Sequence, residues 1–177
     1  MPRHYCFDSE ADIDPETITA VEKALVELEG LGARVEEVTI PCLEYAPVAN
    51  NVIILSEAFR YHLPNFRSQP QNYGEAFINR LYMGGLLTGS DYVQAQRVRG
   101  KIKREFARLM QKVDLIAMPT MTGAPVTVEE FKPTAIMLGS SFMAPFNQTG
   151  MPAISIPCGF NAKGLPLGLQ LAGRPFD

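Results

Sequence analysis

Few side chains in this 177-residue sequence suit bond-making chemistry by type and spacing. Gly139-Ser140-Ser141 sets two hydroxyls side by side. A serine attacks a carbonyl only when a neighbouring base takes its proton. No lysine stands at a spacing that pairs with these serines, and Phe142 follows them rather than glycines, so neither is read as a nucleophile. Cys158 has nothing near it in sequence to lower its pKa and reads as a small buried residue. His4 and His62 have no partners at metal-ligand spacing. The three cysteines, Cys6, Cys42 and Cys158, form neither a metal set nor a disulfide framework. No metal, no cofactor and no catalytic residue is therefore assigned.

Binding chemistry is better represented. Asn147 and Thr149 lie in a loop tract rich in glycine and proline, where an amide and a hydroxyl suit contact with a polar substrate. The same side chains also commonly bond their own backbone in turns. These two are candidate substrate-binding residues.

The elements that position them follow from periodicity. Asp14-Pro15 opens a helix: Asp caps free N–H groups, and proline suits the first helical position. Ile18, Val21, Leu25 and Leu28 form its apolar stripe, and Gly30 and Gly32 close it. Residues 5–7 and 34–40 read as strands on either side of this helix, which predicts a parallel pair. Residues 48–61 read as a helix ended by Pro64, and 75–87 as a looser one weakened by Gly84-Gly85. A third, capped by Ser90, buries Val98, Ile102, Phe106, Leu109 and Val113. Its many Arg and Lys residues between 97 and 112, interrupted by Glu105, read as a solvated face. Residues 114–119 form a short strand. Beyond Pro119, prolines and glycines punctuate two further strands, 153–156 and 167–171. A long tract of this texture, from Pro119 onward, is of the kind that often builds a site. The fold class is α/β: a mixed, largely parallel sheet flanked by helices.

Composition sets outer bounds. With 46% hydrophobic and 20% charged residues the chain can build a core. A net charge of −3 gives no reason to expect nucleic acid as a partner. No apolar run reaches the roughly 18 residues of a membrane span, and the N-terminus lacks a signal-peptide layout. Reduced thiols suggest the cytoplasm. No repeat or domain boundary stands out.

Four motifs in order carry a resemblance. Pro145-Phe146-Asn147-Gln148-Thr149-Gly150-Met151-Pro152-Ala153-Ile154-Ser155-Ile156-Pro157-Cys158-Gly159 resembles the closing motif of the amidase-signature family. Gly164-Leu165-Pro166-Leu167-Gly168-Leu169-Gln170-Leu171-Ala172-Gly173-Arg174-Pro175-Phe176-Asp177 resembles its continuation. Asp114 to Thr120 is similar to the strand end before it, and the opening helix with Val38-Thr39-Ile40-Pro41 fits the same order.

The resemblance implies an enzyme that uses a nucleophilic Ser, a bridging Ser and a Lys to cleave a carboxamide. A loop of the form G-G-S-S-G-G in the family's N-terminal half supplies the oxyanion donors. That loop does not occur in this sequence. The expectation is therefore one unit, residues 1–177, corresponding to the C-terminal portion of an amidase-signature domain and short at both ends. It would supply sheet and one wall of the pocket and be inactive alone. Its partners would be a small-molecule amide and the missing N-terminal half, with a homo-oligomer open.

An alternative implied by the same resemblance is the glutaminase component of a tRNA-dependent amidotransferase (its A chain), where Arg80, a third candidate substrate-binding residue, would hold the glutamine carboxylate in its planar guanidinium fork. Those proteins carry an Asp for the substrate ammonium, and the aligned residue here is Ser140, which favours a general amidase. A reading of another class is a non-catalytic α/β module that binds a partner through an uncovered apolar surface.

Overall fold

The computed structural model describes residues 1–7, 13–130 and 142–176. Gly139, Ser140 and Ser141 lie outside the described residues, as does Asp177.

The chain opens with one helical turn, α1 (Arg3–Cys6). The expected strand at residues 5–7 is thus a helix. Adjacent Tyr5 and Cys6 are both buried, whereas a strand would turn them to opposite faces. The amide of Phe7 bonds the Arg3 carbonyl at 2.8 Å, and the Tyr5 ring meets Phe142 edge-on at 5.9 Å.

Helix α2 (Pro15–Gly30) forms as its sequence dictates. Asp14 accepts the amide of Glu16 at 2.9 Å, and Val21 and Leu25 face inward. Residues 34–40 join no sheet, contrary to expectation. They run beside the N-terminus instead: Val38 donates to the Met1 carbonyl at 3.0 Å, and the Met1 ammonium donates to the Glu36 carbonyl at 2.6 Å.

A 3-10 turn (Pro41–Tyr45) leads into α3 (Ala46–Ser68). Pro64 does not stop α3 but sits within it. Packing outweighs the lost donor here, because Phe66 beyond the proline meets Tyr73 and Tyr82, each at 5.6 Å. Helix α4 (Glu75–Leu86) packs on α3. The crossing is close: a Cβ on Gly84 would lie 2.2 Å from the Leu55 carbonyl oxygen. That contact explains Gly84, and a Cβ on Gly85 would lie 2.9 Å from Cζ of the Phe59 ring.

Helix α5 (Gly89–Leu109) is capped by Thr88, not Ser90. Thr88 Oγ1 accepts the Asp91 amide at 3.2 Å, and Asp91 Oδ2 accepts the Thr88 amide at 2.8 Å. This reciprocal pair satisfies two of the orphan donors at a helix start.

Three strands complete the core: β1 (Leu115–Pro119), β2 (Ala153–Phe160) and β3 (Pro166–Gly173), with a short helix α6 (Ala144–Thr149) before β2. Their order is β1-β3-β2 and both pairings are antiparallel. The α/β class holds, while the parallel pairing is replaced. The two strands assigned to a parallel pair are absent from the sheet, and the real neighbours include a hairpin closed by Asn161, whose Oδ1 accepts the amides of Lys163 and Leu165.

Strand alternation then sorts the side chains. Leu169, Leu171, Ala117 and Cys158 pack against Val21 and Leu25 of α2. Ile116, Met118 and Ala172 belong to a second cluster with Ile102, Phe106, Met110, Phe142 and Phe146. Helices thus cover both faces of the sheet. No helix among the described residues is long and apolar enough to cross a membrane.

Candidate functional site

The richest polar geometry lies at the end of β1. Strand order puts β3 between β1 and β2, so side chains of the outer strands reach each other only across β3. Thr120 follows β1 and donates its amide to the Gly168 carbonyl at 2.8 Å. Ser155 stands on β2, on the same face. The Thr120 and Ser155 hydroxyl oxygens are 2.6 Å apart above the middle strand. Gly168 makes the meeting possible: a Cβ there would lie 2.8 Å from Thr120 Oγ1 and 3.0 Å from Ser155 Oγ. On the same face Gln170 is buried, and its Nε2 donates to the Phe142 carbonyl at 3.2 Å.

Helix α6 packs on α3 and α5. Its Gln148 is buried and donates through Nε2 to the Ala46 carbonyl at 2.5 Å. Arg99 Nε donates to the Gln148 carbonyl at 2.8 Å. Arg99 thereby leaves the solvated face of α5 to which its sequence position assigned it. Glu105 also turns inward: its carboxylate accepts the Cys42 amide at 3.2 Å. The Cys42 thiol is pushed up to about 12, chiefly by burial and also by the Glu105 carboxylate. Burial raises the Cys158 thiol as well, and its sulfur faces the Leu167 carbonyl at 3.5 Å. A thiol so placed is a poor nucleophile, as its sequence setting suggested.

The candidate binding residues fall in two places. Asn147 is exposed on α6. Thr149, at the end of that helix, donates to the Phe146 carbonyl at 3.3 Å and accepts the Met151 amide at 3.4 Å. It also lines an open cleft of about 430 Å³ with Lys103, Phe106, Met110, Met151 and Arg174. Arg80 is half-buried on α4, which, like α6, packs on α3. Among the described residues it has neither an ion pair nor a hydrogen bond, so its guanidinium is open to a ligand. The sequence reading set Asn147 and Thr149 in a loop, whereas both lie on helix α6. It missed Thr120, Ser155 and Gly168. Their signal was available in part: a bare glycine inside an apolar strand marks a close approach. No group of three or more metal-ligating side chains occurs among the described residues.

Comparison with known proteins fits this architecture. The amidase family model matches residues 4–177. The chain is 35% identical to an amidase of Pseudomonas putida, an alignment covering 100% of the chain and 39% of that protein. It is 32% identical to the A component of the glutamyl-tRNA(Gln) amidotransferase of Myxococcus xanthus, covering 100% of the chain and 41% of the relative. The crystal structure of the same amidotransferase component from Thermotoga maritima superposes with a TM-score of 0.75 at 32% identity, over 94% of this chain and 37% of that one. An amidase crystal structure superposes with a TM-score of 0.78 at 27% identity, over 93% and 39%. The chain belongs to the amidase-signature family. It spans about two-fifths of the length of the curated relatives it matches.

Proposed function

We propose that this chain is the sheet-bearing part of a carboxamide-hydrolysing catalytic unit. The single observation that carries the reading is the open edge of β2. Its sequence, Ala153 to Phe160, holds no charge, and among the described residues only β3 pairs with it. Ile154 is 59% exposed and Phe160 is 71% exposed. Natural edge strands are usually blunted by charge or covered. An uncharged edge with apolar side chains calls for a further layer, and the remaining length of the relatives supplies a source for it. That layer would bring the nucleophilic serine, the bridging serine and the lysine. The face bearing Thr120, Ser155 and Gln170 would form one wall of the pocket, to which Asn147 and Thr149 on α6 and Arg80 on α4 would contribute. The chain alone is inactive, and it works in the cytoplasm with its thiols reduced.

The test is complementation. The chain is co-expressed with the part of the Pseudomonas putida amidase that it does not match, and ammonia release from simple carboxamides is measured. Activity should require both polypeptides. Turnover by this chain alone, or none from a folded two-part complex, would overturn the reading.

A second reading is the glutaminase component of a glutamyl-tRNA amidotransferase. It is favoured by the guanidinium of Arg80, which has no partner among the described residues and fits the carboxylate of glutamine. Glutamine turnover that collapses in Arg80→Ala would select it over a general amidase.

A further inference from the structure

The hydroxyl pair over Gly168 has a stereochemical property of its own. Two hydroxyl oxygens 2.6 Å apart share one proton between them. One hydroxyl donates to the other. The donor keeps its lone pairs free, and the acceptor keeps a proton to give away. The pair therefore presents one acceptor and one donor side by side, fixed by two different strands.

A carboxamide presents the complement. Its oxygen and nitrogen are held about 2.3 Å apart by the standard C=O and C–N bond lengths. In a primary carboxamide, one N–H lies on the same side as the oxygen. Such a group can lie against the pair with two parallel hydrogen bonds, N–H to one hydroxyl oxygen and C=O from the other hydroxyl. In an ordinary secondary amide the N–H points away from the oxygen, because the trans form dominates. It can then make only one of the two bonds and leaves the other group unpaired.

We propose that Thr120 and Ser155 form a two-point platform that selects primary carboxamides, and cis-locked lactams, over trans secondary amides. The inference rests on the amidase reading above and adds the substrate class. Gly168 is its positioning residue: a side chain there fills the space in which the hydroxyls meet. Ser155 is exposed, Thr120 is half-buried, and the amide of Thr120 is already spent on Gly168, so the hydroxyls are the groups left for a ligand.

Binding to the isotopically labelled 177-residue chain tests this without turnover, so its outcome is separate from that of complementation. Benzamide, N-methylbenzamide and a small lactam are titrated while the backbone amide signals of Thr120, Ser155 and Gly168 are followed by NMR. Saturable shifts are expected with benzamide and the lactam, and binding about tenfold weaker with N-methylbenzamide, the scale of one unmade hydrogen bond. Ser155→Ala and Thr120→Val should abolish the response, Thr120→Ser should retain it, and Gly168→Ala should weaken it. Unchanged signals from the Ile116 and Met118 methyls verify the fold of each variant. Equal response to benzamide and N-methylbenzamide overturns the proposal. So does a response that survives both Ser155→Ala and Thr120→Val, or no saturable response in the unaltered chain.

Discussion

Arg99 donates its Nε–H to the main-chain carbonyl of Gln148 at 2.8 Å, which fastens the middle of α5 to the last turn of α6. The carbonyls of a helix end lack intrahelical partners, so this bond satisfies one that would otherwise be orphaned. Gln148 passes the link on to the Ala46 carbonyl at the start of α3. Three helices are thus joined at one residue. Arg99→Ala should destabilise the chain by about 1–3 kcal/mol, the cost of leaving a partly buried acceptor unmet. Arg99→Lys should recover only part of this, since an ammonium cannot reproduce the Nε geometry. Urea unfolding of the three proteins gives the comparison.

Gly84→Ala separates helix propensity from packing. Propensity alone predicts a gain of about 1 kcal/mol. The added Cβ would lie 2.2 Å from the Leu55 carbonyl oxygen and 2.9 Å from Phe59 Cβ. Backbone cannot give way cheaply, so a loss of about 1–3 kcal/mol is expected. The sign of the change in the unfolding midpoint decides between the two.

Stability should fall in alkali through two buried thiols. Burial pushes Cys6 and Cys42 up to about 12, from an ordinary value of 9.0. Below 9 both the folded and unfolded states hold these protons, and pH has no effect through them. Between 9 and 12 the unfolded chain releases them while the folded chain does not. The unfolded state then binds fewer protons, and stability declines as pH rises. Burial raises the Tyr5 phenol in the same direction. Cys6→Ala with Cys42→Ala should flatten the slope of unfolding free energy against pH. An unchanged slope would show that the thiols are not shielded in the folded chain.

The β2 edge should drive self-association of the isolated chain. Ile154 and Ile156 remain exposed on a strand that has a partner on one side only among the described residues. Ile154→Lys and Ile156→Lys place charge on that edge, a device natural sheets use against edge pairing. Analytical ultracentrifugation should show a concentration-dependent rise in mass for the unaltered chain and a lower one for the variants. A monomer at every concentration would count against an open apolar edge.

Much of this architecture was legible in the sequence, and the physical reason differs by element. Helix α2 announces itself through Asp14-Pro15 and a stripe at helical spacing, both local signals. Strands β2 and β3 are marked off by prolines and glycines. Strand direction was not legible, because pairing is set by tertiary contact rather than by local pattern. Tyr5 and Cys6 misled for the same cause: their apolar types fit a strand or a turn of helix, and Phe142 decides between them. Pro64 shows contacts overriding propensity, through aromatic partners beyond it in the chain. Asn147 and Thr149 stood out by their place in the family motif, although both lie on helix α6 and not in a loop. Thr120 and Ser155 stand 35 residues apart, so only the strand order could bring their hydroxyls together.

That strand order also governs the sequence of events at synthesis. Among the described residues β1 and β2 each pair with β3 and not with each other. Yet β3 is the last of the three to leave the ribosome. Until residues 166–173 emerge, β1 and β2 lack the strand that both pair with among the described residues. The hairpin then closes locally, and β1 is recruited from far upstream in the sequence. Bringing such distant segments together is the slow step, as it is for non-local pairings generally. Nascent chains arrested before β3 should therefore hold α2, α3 and α5 while remaining dependent on holdase chaperones, and gain protection as a single cooperative event once β3 is free.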